Sequence, residues 1–466
     1  MNQWTGLTRR LAEHAAGLTV DQIPASALAA TRSTISDALA CAIAGSVVAD
    51  DIVGPVSALV ADTSGGRSTS ILTGGSLPAV DAAFLNGAIV HTIDFDDTLM
   101  AVVAHLGSSV VTSALAACEH VGASAETFLA AVVAGFDVGG RVGRAVMPQH
   151  YQRWHATASL GGIASAAAAS VALGLDAAAT EMALGIAADD TGGTRVCIRQ
   201  GDVTKSLHAA AASQKGMRAA LLVHAGAIGP VGHLEHDFGF FWAYSDERDP
   251  HRLPEHLDDL GERWEVEEND LKAHPCILSS HTAVEGVVTL MSEHGLNVDG
   301  IESVELFQPP YSERHGVNYE PETAMAARLS VQYVVAAAIR HGKVGLEEFD
   351  GGAWLDPDVR RLMERITITP DPELSTRYPG QAPNRTCITT VGGSTHELEV
   401  GVALGSHLRP LQGDALREKH DALLAYRLDA AERERWHGAI DALGVGGDIA
   451  DLTALFAAGR SEVQGR

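Results

Sequence analysis

Residues 161–173, GGIASAAAASVAL, carry no charge and little bulk, and they constrain the fold more than any other segment. Side chains this small suit a helix and let neighbouring helices approach closely. Similar patterns recur along the first half. Pro24 precedes a run over 25–44 with Leu28, Ile35, Leu39 and Ile43, and proline suits a helix's first turn. Ser124 and Glu126 open a segment in which Phe128, Val132 and Phe136 recur at four-residue spacing. Residues 205–225 form another Ala-rich run. Aromatics make up only 5% of the 466 residues while glycine numbers 48, so close helix packing is expected rather than a core of large rings.

The pattern changes near residue 268, after the polar, proline-containing stretch 248–268. Ile301, Val304, Leu306, Thr367 and Ile368 lie in β-prone runs. Residues 386–400, with Gly392-Gly393 inside, predict a hairpin. Helices are expected at 280–293 and 323–340, and helical character returns from Leu416, including 430–443. The fold expected is mostly α: a large, discontinuous all-helical domain (1–268 and 405–466) and a smaller α+β lid domain (269–404).

Lys and Arg number 33 against 59 Asp and Glu, a formal charge of −26, which disfavours nucleic acid and anionic membranes as partners. An anionic small substrate would then need local cations around its site. The cysteines (Cys41, Cys118, Cys197, Cys276, Cys387) lie far apart with no CxxC, so neither a disulfide framework nor a zinc site is expected. Arg9-Arg10 lacks the apolar run of a twin-arginine signal, because Glu13 and His14 interrupt it. Gly107-Ser108-Ser109 breaks the apolar stretch 98–118 as a membrane span. A cytoplasmic protein is the expectation.

The densest polar cluster in an apolar setting is His91-Thr92-Ile93-Asp94-Phe95-Asp96-Asp97-Thr98. It matches the D-x-D-x-T pattern of aspartate-nucleophile phosphatases. The buried strand and the later acidic magnesium motif that such chemistry needs are not evident. A helical reading puts His91, Asp94 and Thr98 on one face, poised to orient a base or hold a substrate group; a helix-capping cluster is the alternative. His105, with Gly107, Ser108 and Ser109, reads either as an anion site at a helix start or as a plain serine cap. His155 precedes another helix, with Tyr151 four residues before it. Lys205 and His208 share a face of the next Ala-rich helix, and Arg195 and Arg199 upstream could clamp carboxylates. Lys272 and His281 stand at the domain boundary, where clefts commonly bind ligands. Each lysine alone would more often be a surface charge, and each histidine a structural one.

Taken in order, these pieces resemble the MmgE/PrpD family. The resemblance runs through Asn86-Gly87-Ala88, His91, Asp94 to Thr98, His105 with its Gly-Ser-Ser, and His155-Ala156-Thr157 with Gly161-Gly162. It continues through Lys205-Ser206-Leu207-His208, Lys272 with Pro275, 329–333 and Pro410-Leu411. That family includes 2-methylcitrate dehydratase, cis-aconitate decarboxylase and iminodisuccinate epimerase. The resemblance implies a homodimer with an interdomain site, no metal or organic cofactor, and a small di- or tricarboxylate substrate. It maps site roles onto Asp94, Thr98, His105, His155, Lys205 and Lys272.

The decarboxylase-like pattern has a histidine five residues after the lid lysine, where this chain has Ile277. That departure favours a cofactor-independent epimerase moving a proton alpha to a carboxylate of an iminodisuccinate-like substrate. His155 with Lys205 or Lys272, and Tyr151, are the acid/base candidates; Thr98, Ser108, Arg195, His208 and His281 are candidates for substrate binding. A 2-methylcitrate-type dehydratase, a cis-aconitate-type decarboxylase and a non-catalytic dicarboxylate-binding relative are the alternatives.

Overall fold

A computed structural model describes residues 6–245, 255–310, 316–378 and 380–458. Part of the polar stretch expected to mark a boundary at 248–268 lies outside them.

The Ala-rich segment forms the helix Ala156–Ala172, buried along nearly its whole length. It packs against the helices Leu106–Val121, Ala125–Val146, Ala177–Asp189 and Thr204–His224. A helix apolar on every side can only be stable when surrounded in this way. Small residues set the spacing: a Cβ on Gly216 would lie 2.3 Å from the Cβ of Ser165, so the two helices meet almost backbone to backbone. Ser124 caps the Ala125–Val146 helix by accepting from the Thr127 N–H at 3.2 Å, as its sequence signature predicts.

Among the described residues, most of the buried apolar side chains fall into two clusters. The larger draws on Leu7 to Val266 and then on Leu423 to Phe456, so the chain leaves this core and returns to it. The returning helices Gly413–Leu424 and Ala430–Ala442 pack on Ala25–Val48, where the indole N–H of Trp436 donates to Ser36 Oγ at 3.0 Å. The smaller cluster runs from Cys276 to Ile388. Its four-stranded sheet has the order Ile366–Pro370, Ile301–Gln308, Asn384–Thr390, Thr395–Val400. The first pair is parallel (Val304 opposite Ile366), and the other two pairs are antiparallel (Val304 opposite Ile388, Cys387 opposite Glu397). The expected hairpin is therefore present, closed by residues 391–394. Helices His281–His294 and Val331–His341 pack beside this sheet.

The architecture is mostly α, with a smaller α+β part. Two local expectations are corrected. The helix expected over 323–340 is two helices, Ala324–Arg328 and Val331–His341. Ser330 ends the first: its Oγ accepts from the Tyr333 N–H at 3.1 Å and donates to the Asn318 carbonyl, which starts a new helix instead of continuing the old one. The region around His91 differs more. The helix Ala79–His91 stops there, and Thr98–Leu99 is a short strand paired antiparallel with Asn269–Asp270. No single helix among the described residues is long and apolar enough to cross a membrane.

Candidate active site

His91, Asp94 and Thr98 do not share a helical face. Asp94 takes a left-handed backbone conformation, φ 50°, which an α-helix cannot contain. The loop 92–97 is almost entirely buried, so its polar groups must find partners inside the protein. Two of those partners are lysines from distant elements. Packing of Ala79–His91 against Thr204–His224 brings His91 to Lys205. Pairing of Thr98–Leu99 with Asn269–Asp270 brings Lys272 across from the chain that enters the smaller core.

Asp94 is the hub. Its Oδ1 accepts from Lys205 Nζ at 2.9 Å and Lys272 Nζ at 2.7 Å, and its carbonyl accepts a further bond from Lys272 at 2.9 Å. Burial alone would raise the Asp94 carboxyl, but Lys205, Lys272 and His91 together pull it below the usual carboxylate range. Lys272 shows the converse. Burial disfavours its charge, yet Asp94 and Asp96 win and hold the ammonium above its ordinary value. Lys205 is buried and also meets His91 Nε2 at 2.7 Å. An ammonium has only protons to give, so His91 accepts at Nε2 and keeps its proton on Nδ1, which faces the Asp96 carboxylate at 2.8 Å.

His105 and His155 complete the polar floor. His105 Nδ1 lies 2.7 Å from the Asp97 carbonyl, which can only accept. Nδ1 therefore carries the proton and Nε2 is left as the basic nitrogen. The Asp97 carboxylate accepts from the Gly107 N–H at 3.0 Å, and burial with Asp96 alongside pushes its carboxyl well up. His155 sits at the N-cap of Ala156–Ala172, with Nδ1 2.9 Å from Nδ1 of the half-buried His208. Burial first, then Lys205 and the neighbouring histidines, push both His105 and His155 well below the ordinary imidazole range. His208 is held at about 4 by burial and His91.

Asp94, Thr98, His105, Tyr151, His155, Lys205 and Lys272 line one cavity of about 610 Å³, its open mouth included. Four of the five substrate-binding candidates do not line it, nor does Arg199. Ser108 Oγ is fully buried and donates back to the His105 carbonyl at 2.7 Å; it does not cap its helix, which has no side-chain cap. Arg195 is set back from the lining: its guanidinium lies 3.8 Å over the Tyr151 ring and donates to the Tyr151 carbonyl. His208 stands behind His155. His281 is buried against His274, with Nε2 3.4 Å from the Cys276 carbonyl.

Several wall residues carried no sequence signal. Met100, Val103, Ile198, Leu278, Ser279, Tyr378 and Ala382 line the cavity beside Ile277, together with Leu329 of the 329–333 segment noted above. Asp96 was also missed as the partner of His91, because a spacing of five residues fits no helical face.

Among the described residues, two groups bring metal-ligating atoms within 4.8 Å of one another: His155, Cys197 and His208, and His91, Asp94, Asp96 and His105. The second group already has two ammonium groups bound to Asp94, so a divalent cation there would face like charge.

A two-core helical protein with a buried lysine–aspartate–histidine pocket is thus defined. Residues 9–253 match the MmgE/PrpD N-terminal domain and 274–443 the MmgE/PrpD C-terminal domain, and the chain belongs to the MmgE/PrpD family. It is 28% identical over 397 residues to "Cis-aconitate decarboxylase-like protein oryM" of Aspergillus oryzae, covering 80% of this chain and 82% of that one. It is 29% identical over 372 residues to the cis-aconitate decarboxylase of Mus musculus (74% and 72% covered). The Homo sapiens cis-aconitate decarboxylase is also 29% identical, over 387 residues (77% and 74%). Two of these relatives are named decarboxylases and the third decarboxylase-like, so they lend no support to the epimerase expected from sequence and match its decarboxylase alternative.

Proposed function

We propose that the protein is a lyase that releases CO₂ from a small unsaturated polycarboxylate of the cis-aconitate class. The observation that carries this reading is the pair of lysines sharing Asp94 Oδ1 beside two uncharged histidines on one cavity floor. The names of the three relatives support it.

The substrate class has a carboxymethyl group on an alkene that bears two further carboxylates. Breaking the bond to the departing CO₂ leaves an electron pair that forms a new C=C bond. The original π pair moves to the carbon beside the far carboxylate, and a proton arrives there. Negative charge builds on that carboxylate as an enediolate, which the buried Lys205 and Lys272 would stabilise. Asp94 keeps both ammonium groups in position. The incoming carboxylates raise the basicity of His155, which then delivers the proton while His208 behind it leads toward solvent. This route supplies an acid even though position 277 is isoleucine.

The test offers the purified protein cis-aconitate, 2-methylcitrate and iminodisuccinate stereoisomers. The expected result is CO₂ release from cis-aconitate or an aconitate homologue. Loss of water from 2-methylcitrate without CO₂ would make it a dehydratase. Inversion of iminodisuccinate with nothing lost would restore the epimerase.

A further inference from the structure

We infer that His155, Cys197 and His208 form a binding site for zinc, and that zinc bound there blocks turnover. The ligand atoms of the three side chains lie within 4.8 Å of one another. His155 Nδ1 and His208 Nδ1 face each other at 2.9 Å, and Cys197 Sγ is 3.7 Å from the same His208 nitrogen. Tetrahedral zinc, with bonds of about 2.0–2.1 Å to nitrogen and about 2.3 Å to sulfur, holds its ligand atoms roughly 3.3–3.6 Å apart. The two imidazoles therefore need to part by only about 0.4 Å. No CxxC marks the site, because the fold and not local spacing brings its ligands together.

The backbone supports the cluster. The His155 N–H donates to the Gly193 carbonyl at 2.9 Å, and Trp154 pairs with Thr194 in an isolated bridge. The chain before Cys197 is thus pinned to the chain before His155. His155 and Cys197 are buried while His208 is half-buried, so His208 is the ligand an arriving ion meets first. Two nitrogens and a sulfur select zinc over magnesium or calcium, which prefer oxygen. Charge is less adverse than at the Asp94 cluster. Coordination replaces the Cys197 thiol proton, so a thiolate offsets one of the two positive charges, and Asp202 is near enough to act on both Cys197 and His208. Lys205 and Arg195 oppose a cation at His155, but Lys205 is paired with Asp94 and Arg195 is turned onto Tyr151.

The effect on turnover rests on the reading of His155 as proton donor given above; the binding does not. Zinc takes the Nδ1 lone pair of His155, and the ring keeps its one proton on Nε2. An imidazolium can then no longer form, so the ring has no proton to deliver at neutral pH.

Cobalt(II), which reports tetrahedral thiolate ligation by its absorption, is the probe, added to the reduced, chelator-treated full chain. The expected result is a sulfur-to-cobalt charge-transfer band that saturates at one equivalent and is lost on adding Zn²⁺. The band should be absent in Cys197→Ser, shown to be folded by its circular dichroism. His208→Gln keeps the sulfur but should need at least about tenfold more cobalt. No band in the unaltered protein, a band that survives in Cys197→Ser, or unchanged cobalt affinity in His208→Gln overturns the site. CO₂ release is then followed against added Zn²⁺. Cys197 does not line the cavity, so Cys197→Ser should turn over normally yet need at least about 100-fold more Zn²⁺ for half inhibition. Unchanged or faster turnover with the site filled overturns the block. If no substrate releases CO₂ the lyase reading fails, and the cobalt spectra still decide the site.

Discussion

Lys272 Nζ lies 2.7 Å from Asp94 Oδ1, and this contact ties the chain entering the smaller core to the acidic loop of the larger one. Lys205 reaches the same oxygen from the Thr204–His224 helix. One carboxylate therefore fixes two cations that arrive from different parts of the fold.

Replacing Asp94→Asn tests that arrangement. Asparagine tolerates the left-handed backbone at φ 50°, so the loop geometry is respected. The two ammonium groups would then be buried without their counter-charge, at a cost of roughly 3–5 kcal/mol, typical of a broken buried pair. Thermal unfolding should show a clearly lowered Tm and turnover should be lost; an unchanged Tm would show that the lysines do not depend on Asp94.

Lys205→Met and His155→Ala should each reduce turnover by at least about 100-fold, the low end for a positioned acid or base. Steady-state rates on folded protein check this. Near-wild-type rates in both variants would remove these groups from the chemistry.

Gly107→Ala offers a test of opposite sign to the usual rule. Glycine to alanine inside a helix ordinarily stabilises by about 1 kcal/mol. Here the new Cβ would fall 2.2 Å from Asp97 Oδ1, displacing the residue whose carbonyl holds His105. The variant should be less stable and slower; a gain in Tm with full activity would contradict the packing described.

The pH dependence of stability follows from the buried histidines. His150 and His208 are held at about 4, chiefly by burial, and His105 and His155 are also depressed. An unfolded chain takes up those protons near pH 6.5, whereas the folded chain does not. Stability should therefore fall as pH drops from about 6.5 toward 4. His407, raised by its bond to Asp270, and the carboxyls of Asp97, Glu119, Glu265 and Asp270, raised by burial, work the other way, but the depressed histidines, His91, His274, His281 and His420 among them, outnumber these groups. Below pH 4 the low-lying Asp94 adds a further loss as it protonates. A Tm that rises between pH 7 and 5 would contradict this.

Much of this was legible in the chain because each reading rested on local chemistry. The Ala-rich periodicity located the helix Ala156–Ala172, and the Gly392-Gly393 hairpin was marked by its flanking β-prone runs. His105 and His155 could be placed at helix starts from the residues that follow them. The loop 92–97 was misread because its conformation is set by distant lysines and not by its own spacing. The stacking of the Arg195 guanidinium on Tyr151 was not legible, because no sequence spacing reveals it. The lining residues between Ile277 and Ala382 lie on segments brought together only by the fold.

Proton NMR of the reaction in deuterium oxide tests the central claim most directly, with an aconitate-class substrate followed to completion. The account requires CO₂ to be released and one deuterium to appear on the carbon beside the surviving far carboxylate, with both signals lost in Lys205→Met. Deuterium exchanged into otherwise unchanged substrate, with no CO₂ formed, would contradict it.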